Sequence, residues 1–214
     1  MEFLGQEIKR TRRERGISLT VRDGEIVVAA GPLVTDDQVL EFLNRHRRFI
    51  QNRIGKHEER QEKYAELYDF SHVMVAGTSV PLVLGLKSGI ENGTVYARDR
   101  KEVPLVLKRN YEESFRNRVK RYADYMGITF AEIRFGGGKS RWGTCNARGN
   151  LFFSWTLFMI PLPLVDYVIV HELCHRRQMN HSVLFWKEVE RYLPDYLMRR
   201  KELQKYNFLT QLYM

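Results

Sequence analysis

A helix-length segment that ends in His171-Glu-Leu-Cys-His175 is the feature that most restricts how this chain can fold. The residues before it are nearly all apolar, and at helical spacing they cover the helix on almost every side, which indicates a buried helix. Residues four apart lie one turn apart on one helix face, so the two imidazoles point the same way and Glu172 projects beside them. We therefore predict a buried helix from Pro163 to Asn180.

Two histidines and a glutamate buried without partners would cost several kcal/mol, so a shared metal ion explains them better than core packing does. Neutral imidazole is a good ligand for Zn²⁺, and a catalytic zinc site has three protein ligands and a water. His181, six residues after His175, is the predicted third ligand. Glu188 and Glu190 are alternative third ligands, and His181 as a helix-capping residue without a metal role is the competing interpretation.

The chain between His175 and His181 must reverse direction to bring the third histidine to the metal. The spacing matches the pattern HExxHxxGxxH, except that Gln178 stands at the position of the glycine. We predict that the helix stops at Asn180, a residue type that tolerates left-handed backbone geometry. Ser182 is then expected to cap a following helix whose apolar face packs on the first. Cys174, between the ligands, is predicted to be a small buried residue.

Zinc lowers the pKa of a bound water to about 7, and a carboxylate beside it can take the proton and pass it to a leaving group. Glu172 is therefore the predicted general base of a hydrolase. A hydrogen-bond donor for the oxyanion is also needed, and Arg141, Tyr167 and Tyr192 are candidates that the sequence does not rank. A purely structural role is the alternative for each.

The N-terminal part of the chain combines short strands with a long helix. Two β-rich runs flank Asp23-Gly24, a pair typical of a type I′ turn, and predict a hairpin over Ile17 to Gly31. Thr35-Asp-Asp-Gln38 has the spacing of a capping box and predicts a long helix toward Tyr68, the second half solvated. Short-period apolar residues from His72 to Leu107 predict two or three small strands.

The C-terminal part repeats this mixture and completes an α+β fold class. Asn110 is expected to cap a second long helix that Gly127 ends. Strands are predicted at Ile128–Phe135 and Asn150–Trp155, and the second is expected to border the cleft, where an extended peptide can pair with its edge. The predicted domains are residues 1–108, with the hairpin, long helix and small strands, and residues 109–214, with the catalytic helix.

The composition of the chain bears on its cellular compartment and on the partners that it can bind. Two cysteines and no CxxC pair give no disulfide framework, and the charged N-terminus lacks a signal peptide, so we expect a cytoplasmic protein. The most apolar stretch falls short of the roughly 20 residues that a membrane span needs. Net charge of +9 makes nucleic acid a possible partner, although a basic surplus is more often a solvated surface.

Several blocks of residues carry a resemblance to a known family: Ser140–Cys145 (SRWGTC), Asn150–Trp155 (NLFFSW), Asp166–His175 (DYVIVHELCH), Asn180–Ser182, Phe185–Trp186 and Tyr192–Asp195. With them the chain resembles the YgjP-like family of predicted metal-dependent hydrolases, relatives of the SprT and WLM zinc metallopeptidases. The resemblance implies a zincin-like core in which a small mixed sheet packs on the HExxH helix. It also implies one zinc ion on His171, His175 and His181, with Glu172 as catalytic acid/base.

A zinc metallopeptidase acting on a peptide or protein is therefore the leading hypothesis, and the step from hydrolase to peptidase rests on the resemblance. Two alternatives stay open. Relatives that cleave proteins crosslinked to DNA, together with the basic charge, favour a DNA-associated SprT-like protease. The other is a binding module in which zinc only stabilises the fold.

Overall fold

The computed structural model describes residues 1–136 and 141–212 and forms two compact units, Met1–Ala65 and Glu66–Met214. Ser140, the first residue of the SRWGTC block, lies outside the described residues. Helices and small sheets occur in both units, so the architecture is mixed α and β. The units divide at residue 65, whereas we predicted a domain boundary after residue 108, and the strands from His72 onward therefore belong to the second unit with the predicted catalytic helix.

The first unit consists of small sheets and two helices: β1 (Glu2–Phe3), β2 (Gln6–Glu7), β3 (Lys9–Arg12), β4 (Ile17–Arg22), β5 (Glu25–Ala30), α1 (Asp36–Arg45) and α2 (Arg47–Lys63). β5 is the central strand of a three-stranded sheet, parallel to β3 and antiparallel to β4. The predicted hairpin is confirmed, because Asp23 and Gly24 both have positive φ between β4 and β5. Ile26, Val28 and Leu43 belong to the core of this unit.

The predicted capping box at the start of the long helix is confirmed. Thr35 accepts from the backbone N–H of Gln38, and the Gln38 side chain accepts from the backbone N–H of Thr35. The helix is interrupted at His46, which ends α1 and precedes α2. Only Ile50 of α2 is buried, so the rest of that helix is largely solvated, as expected.

The second unit contains the remaining elements, the first of which spans the boundary: α3 (Ala65–Tyr68), β6 (His72–Val75), β7 (Thr78–Leu84), β8 (Gly89–Glu91), β9 (Thr94–Ala97), α4 (Val103–Met126), β10 (Glu132–Gly136), β11 (Gly143–Cys145), β12 (Asn150–Ser154), α5 (Leu162–Cys174), α6 (Val183–Tyr192), α7 (Tyr196–Leu203) and α8 (Leu209–Leu212). Short 3₁₀ helices cover Trp155–Met159 and Gln204–Tyr206. No helix in the described part of the chain is both long and apolar enough to cross a bilayer.

The segment from His72 to Leu107 contains four strands rather than two or three, in the order β6-β7-β9-β8. The prediction that it is β throughout and that Asn110 caps the next helix was wrong. α4 already begins at Val103, with a proline in its first turn, a position where a missing N–H costs no hydrogen bond. Asn110 lies inside this helix, and its side-chain amide donates to the carbonyl of Val106 at 2.8 Å.

Glu102 is the N-cap residue of α4, and its carboxylate is held by residues that precede the helix. It is buried, and its carboxylate accepts from the backbone N–H of Arg98 at 2.6 Å and from the Arg98 guanidinium at 3.0 and 2.8 Å. The hydroxyl of Ser88 donates to the same carboxylate at 3.1 Å. These contacts, the Arg98 guanidinium first, lower the pKa of Glu102 to about 2. At the other end, Gly127 adopts left-handed geometry and ends α4, as predicted.

β12 is the central strand of the three-stranded sheet nearest the histidine helix, parallel to β10 and antiparallel to β11. The strand predicted at Asn150–Trp155 is confirmed, but it lies in the middle of the sheet and not at its edge. β11 is an edge strand, and we did not predict it because its segment is rich in glycine. Phe115 of α4 packs edge-on against Phe153 and Phe135 of this sheet, at centroid distances of 4.9 and 5.1 Å.

The ion cluster at Glu102 generates a prediction about acid stability. A carboxylate whose pKa is lowered on folding stabilises the native state above its unfolded pKa of about 4.3, and the contribution is lost as the pH falls toward about 2. Glu102→Gln is expected to lower the free energy of unfolding at neutral pH, and the deficit is expected to shrink as the pH falls through this window. Urea unfolding at a series of pH values measures it.

Glu113→Gln is the matched control, because Glu113 is exposed on the same helix and has no ion pair among the described residues. A deficit of Glu102→Gln that is equal at pH 7 and pH 2.5 would contradict the proposed role of the charge.

Candidate metal centre

Helix α5 carries His171 and Glu172 in its last turn and ends with His175 as its C-terminal capping residue. Its residues are buried along nearly the whole length, as the apolar sequence predicts. Buried Asp166, near the start of the helix, forms a two-pronged ion pair with Arg118 of α4, one contact of which measures 2.8 Å. Because an unpaired buried charge is costly, this pair ties α5 to α4 in one arrangement.

The helix ends at Cys174 and not at Asn180, so the predicted end was wrong. Asn180 is not among the residues with positive φ, and the predicted left-handed reversal does not occur there. Its side-chain oxygen instead accepts from the backbone N–H of Ser182 at 3.3 Å. Ser182 caps α6 through the backbone N–H of Phe185, as predicted.

Arg177 anchors the segment between α5 and α6. This segment contains no glycine that could make the turn. Arg177 donates to the carbonyl of Met126, at the end of α4, at 2.5 Å and to the Tyr192 hydroxyl at 3.1 Å, and it forms an ion pair with Glu188. A single guanidinium thus joins the turn, α4 and α6. Side-chain anchors take the place of the special backbone geometry that the sequence pattern led us to expect.

The reversal brings the three histidines together. One nitrogen from each of His171, His175 and His181 lies within 4.8 Å of the other two, and Nε2 of His181 is 3.1 Å from Nε2 of His171. His175 Nδ1 lies 3.0 Å from the Gln178 carbonyl, which favours a proton on Nδ1. Nε2 then carries a lone pair that can bind a metal ion. The three imidazoles thus form a group that can hold a metal ion.

Two buried polar atoms at the centre have no hydrogen-bond partner among the described residues: Nδ1 of His171 and Oε2 of Glu172. Native proteins rarely leave such atoms unsatisfied, so each calls for an explanation. Glu172 is only 4% exposed. An ion held by the imidazoles, with a water beside Glu172, accounts for the histidine cluster and the partnerless carboxylate oxygen together, and in this sense the residues suit a metal.

The charges agree with this interpretation. Burial, reinforced by the neighbouring histidines and Arg200, lowers the pKa of His171 to about 3, and burial also lowers the pKa of His175. Both rings are therefore neutral at pH 7, which is the form that binds metals. Burial raises the pKa of Glu172 to about 8, against the opposing charge of Arg141, and a cation held by the histidines would lower it again toward the carboxylate form that a base needs.

Two aromatic rings of α6 pack against the imidazole rings of the histidine group. Phe185 is fully buried and stacks on His175 at a centroid distance of 4.6 Å. Trp186 lies nearly parallel to His181, with centroids 5.6 Å apart. The apolar face predicted for this helix therefore fixes two of the three imidazoles.

Gly143 of β11 lies directly against Glu172, and sequence reasoning missed it. A Cβ at this position would stand 2.8 Å from both Cγ and Oε1 of Glu172. Glycine is thus needed because the strand and the carboxylate approach so closely. We had expected β12 to border the candidate site, but the strand that does so is β11.

The other residues singled out in the sequence are placed as follows. Arg141 acts on Glu172 through its charge, and the Tyr167 ring lies 5.8 Å from that of His171. The hydroxyl of Tyr192 is instead engaged by Arg177 and by the Met126 carbonyl at 3.4 Å. Tyr192 is thus part of the support of the turn and not of the group that faces the histidines.

The alternative ligands are not part of the histidine group. Glu188 is paired with Arg177, and Glu190 is exposed. Cys174 is fully buried, as predicted, and burial raises the pKa of its thiol to about 12.

Comparison with known proteins identifies the family. A family model described as YgjP-like, metallopeptidase domain, matches residues 15–206. The chain belongs to this family. This YgjP-like protein is accordingly a metallopeptidase, a hydrolase of peptide bonds, and the family implies a metal cofactor and a peptide or protein substrate.

Two further comparisons add little to the family assignment. The solved structure of the metallopeptidase zymogen abylysin from Pyrococcus abyssi is similar at 19% identity and a TM-score of 0.39, over 42% of this chain and 90% of that one. A search of curated proteins gave no match.

The contact at Gly143 generates a prediction about the family's reaction. Gly143→Ala forces the Glu172 carboxylate to move, and misplacement of a reacting group by about 1 Å can lower a rate by roughly 10²-fold. We expect peptide hydrolysis to fall on that scale while metal content is kept, since no histidine is displaced. Hydrolysis of an unfolded protein and metal analysis measure the two effects.

Gly136→Ala is the matched control, because Gly136 lies in the same sheet and a Cβ there meets no atom of the described residues within 4 Å. Full activity of Gly143→Ala would show that the position of Glu172 does not depend on this contact.

Proposed function

We propose that this YgjP-like protein is a zinc peptidase in which His171, His175 and His181 hold one zinc ion and Glu172 is the general base. The observation that carries the proposal is the convergence of three imidazoles beside a buried carboxylate oxygen that has no hydrogen-bond partner in the described part of the chain. An all-imidazole set suits Zn²⁺, a borderline ion that prefers nitrogen and sulfur ligands. The packing of α5 near the three-stranded sheet supports a zincin-like core.

Bound zinc lowers the pKa of its water to about 7 and polarises a carbonyl oxygen. The chain's own contribution begins with Glu172, whose Oε2 has no hydrogen bond within the described residues and is free to take a proton. The same oxygen can then return the proton to the leaving amine. Gly143 and the buried surroundings hold the carboxylate in place for both transfers.

Arg141 and Tyr167 are the stronger candidates for stabilising the oxyanion, since Arg141 acts on Glu172 and Tyr167 lies beside His171. Burial raises the pKa of Tyr167 to about 12, so its hydroxyl keeps the proton that a donor needs. A substrate backbone can pair with the edge strand β11, which would give affinity with little demand on side chains.

The two alternatives have less support. A purely structural zinc site leaves the buried Glu172 without a purpose, and structural sites usually have four protein ligands, whereas the described residues supply three here. Contact with nucleic acid rests on the net charge of +9 alone and stays a prediction.

Metal analysis tests the ligand set. Wild-type protein is expected to contain one zinc per chain, and His181→Ala is expected to weaken zinc binding by more than about 100-fold, since even loss of a residue that only orients a ligand costs about 10–100-fold. The exposed His46, in the first unit, supplies the control His46→Ala. Equal zinc affinity of wild type and His181→Ala would remove His181 from the site.

Glu172→Gln separates catalysis from binding. Loss of the general base is expected to lower kcat for hydrolysis of an unfolded protein by roughly 10²–10⁴-fold, with zinc content unchanged. Glu190→Gln, at an exposed position of α6, is the control. Hydrolysis at the wild-type rate by zinc-loaded Glu172→Gln would refute the mechanism.

A further inference from the structure

Arg200 of α7 lies at the rim of the histidine cluster. Its guanidinium carbon is 4.8 Å from the centroid of the Trp186 ring. That ring is nearly parallel to Tyr196, at 5.4 Å, and its centroid is 5.6 Å from that of His181 and 5.8 Å from that of His171. Trp186 therefore connects a cationic side chain directly to two of the proposed zinc ligands.

Arg200 is exposed and has neither a hydrogen bond nor an ion pair within residues 1–136 and 141–212. Its neighbour Arg199 is fully engaged, with Asp195 at 2.9 Å and with the Pro163 carbonyl at 2.9 Å. Arg118 and Arg177 of the same unit likewise have carboxylate partners. Arg200 thus differs from the arginines that hold the fold together.

A guanidinium stacked on an aromatic ring keeps its N–H groups directed outward in its own plane. Those groups form a fork that matches the two oxygens of a carboxylate. The ring holds the fork in place, which reduces the entropy lost when a ligand binds.

The surroundings favour an anion over a cation. The positive charge of Arg200 acts on His171 and Tyr167, and no carboxylate of the described chain is within ion-pair distance of it. A second positive charge, that of Arg141, acts on Glu172.

We propose that Arg200 is a specificity-determining residue that binds a carboxylate of the peptide substrate, either an acidic side chain near the cleaved bond or a free C-terminus. This inference rests on the proposed peptidase function. Arg200 contributes binding rather than chemistry, so its loss acts on KM more than on kcat.

Binding to a form that does not cleave tests the inference without depending on catalysis. Zinc-loaded Glu172→Gln protein is titrated calorimetrically with acetyl-pentaalanine amides that carry one glutamate at each position in turn. Their glutamine twins and acetyl-pentaalanine with a free carboxyl group complete the set. We expect at least one charged peptide to bind about tenfold more tightly than its neutral twin, the scale of a charge-assisted hydrogen bond.

The glutamate series and the free-carboxyl peptide distinguish the two sources of the carboxylate. Arg200→Gln is expected to abolish the preference, and Arg200→Lys to keep part of it, because lysine retains the charge without the fork. Arg191→Gln is the matched control: Arg191 is also exposed and also lies over a ring, that of Tyr192 at 5.6 Å, but its charge is not among the causes that shift the pKa of His171 or His175.

Equal binding of charged and neutral peptides by protein that retains Arg200 would overturn the inference. So would a preference that survives Arg200→Gln, as expected if the carboxylate binds zinc directly, or a preference that Arg141→Gln abolishes instead. Zinc content and circular dichroism show whether Arg200→Gln is folded; if it is not, an undiminished preference in folded Arg200→Lys would count against the fork.

Kinetics on the active protein separate the two proposals. If the wild type hydrolyses the preferred peptide, Arg200→Gln should raise KM roughly tenfold with little change in kcat. Absence of any hydrolysis by wild type would refute the peptidase mechanism, while the titration would still decide whether Arg200 binds carboxylates.

Discussion

Burial of ionisable groups in helix α5 is the constraint on which the second unit depends. Asp166, Glu172 and His175 are all less than a tenth exposed in a helix that is otherwise apolar. Each such group must find a partner, since an unpaired buried charge costs several kcal/mol. Asp166 finds Arg118 within the protein. At the other end, Oε2 of Glu172 has no hydrogen-bond partner among the described residues, while His175 bonds to the Gln178 carbonyl through Nδ1 and belongs to the histidine group that could hold a metal ion.

The second organising device is the turn that follows α5. Sequence patterns of this type use glycine to reverse the chain, but here Arg177 does so by bonding to a carbonyl of α4 and to side chains of α6. The position of His181 thus depends on contacts more distant than the turn itself. The aromatic face of α6, with Phe185 and Trp186, then sets the orientation of the imidazoles.

Structural features that depend on residues close in sequence could be predicted from the sequence. The Asp23-Gly24 turn and the caps at Thr35 and Ser182 follow from backbone chemistry within a few positions, and the histidine spacing follows from the helix period. Features that depend on distant partners were not predictable. Short β11 exists through its pairing with β12, and the position of His181 depends on the bonds of Arg177 to α4 and α6.

The stack of Trp186 on His181 gives the protein an optical property. An indole whose ring centre is 5.6 Å from that of a proposed metal ligand is close enough for its emission to respond to the ion. An ion with unpaired electrons, such as Co²⁺, quenches a nearby indole, whereas Zn²⁺ does not. Because Trp186 has this contact, the native fluorescence would report which ion the histidines bind.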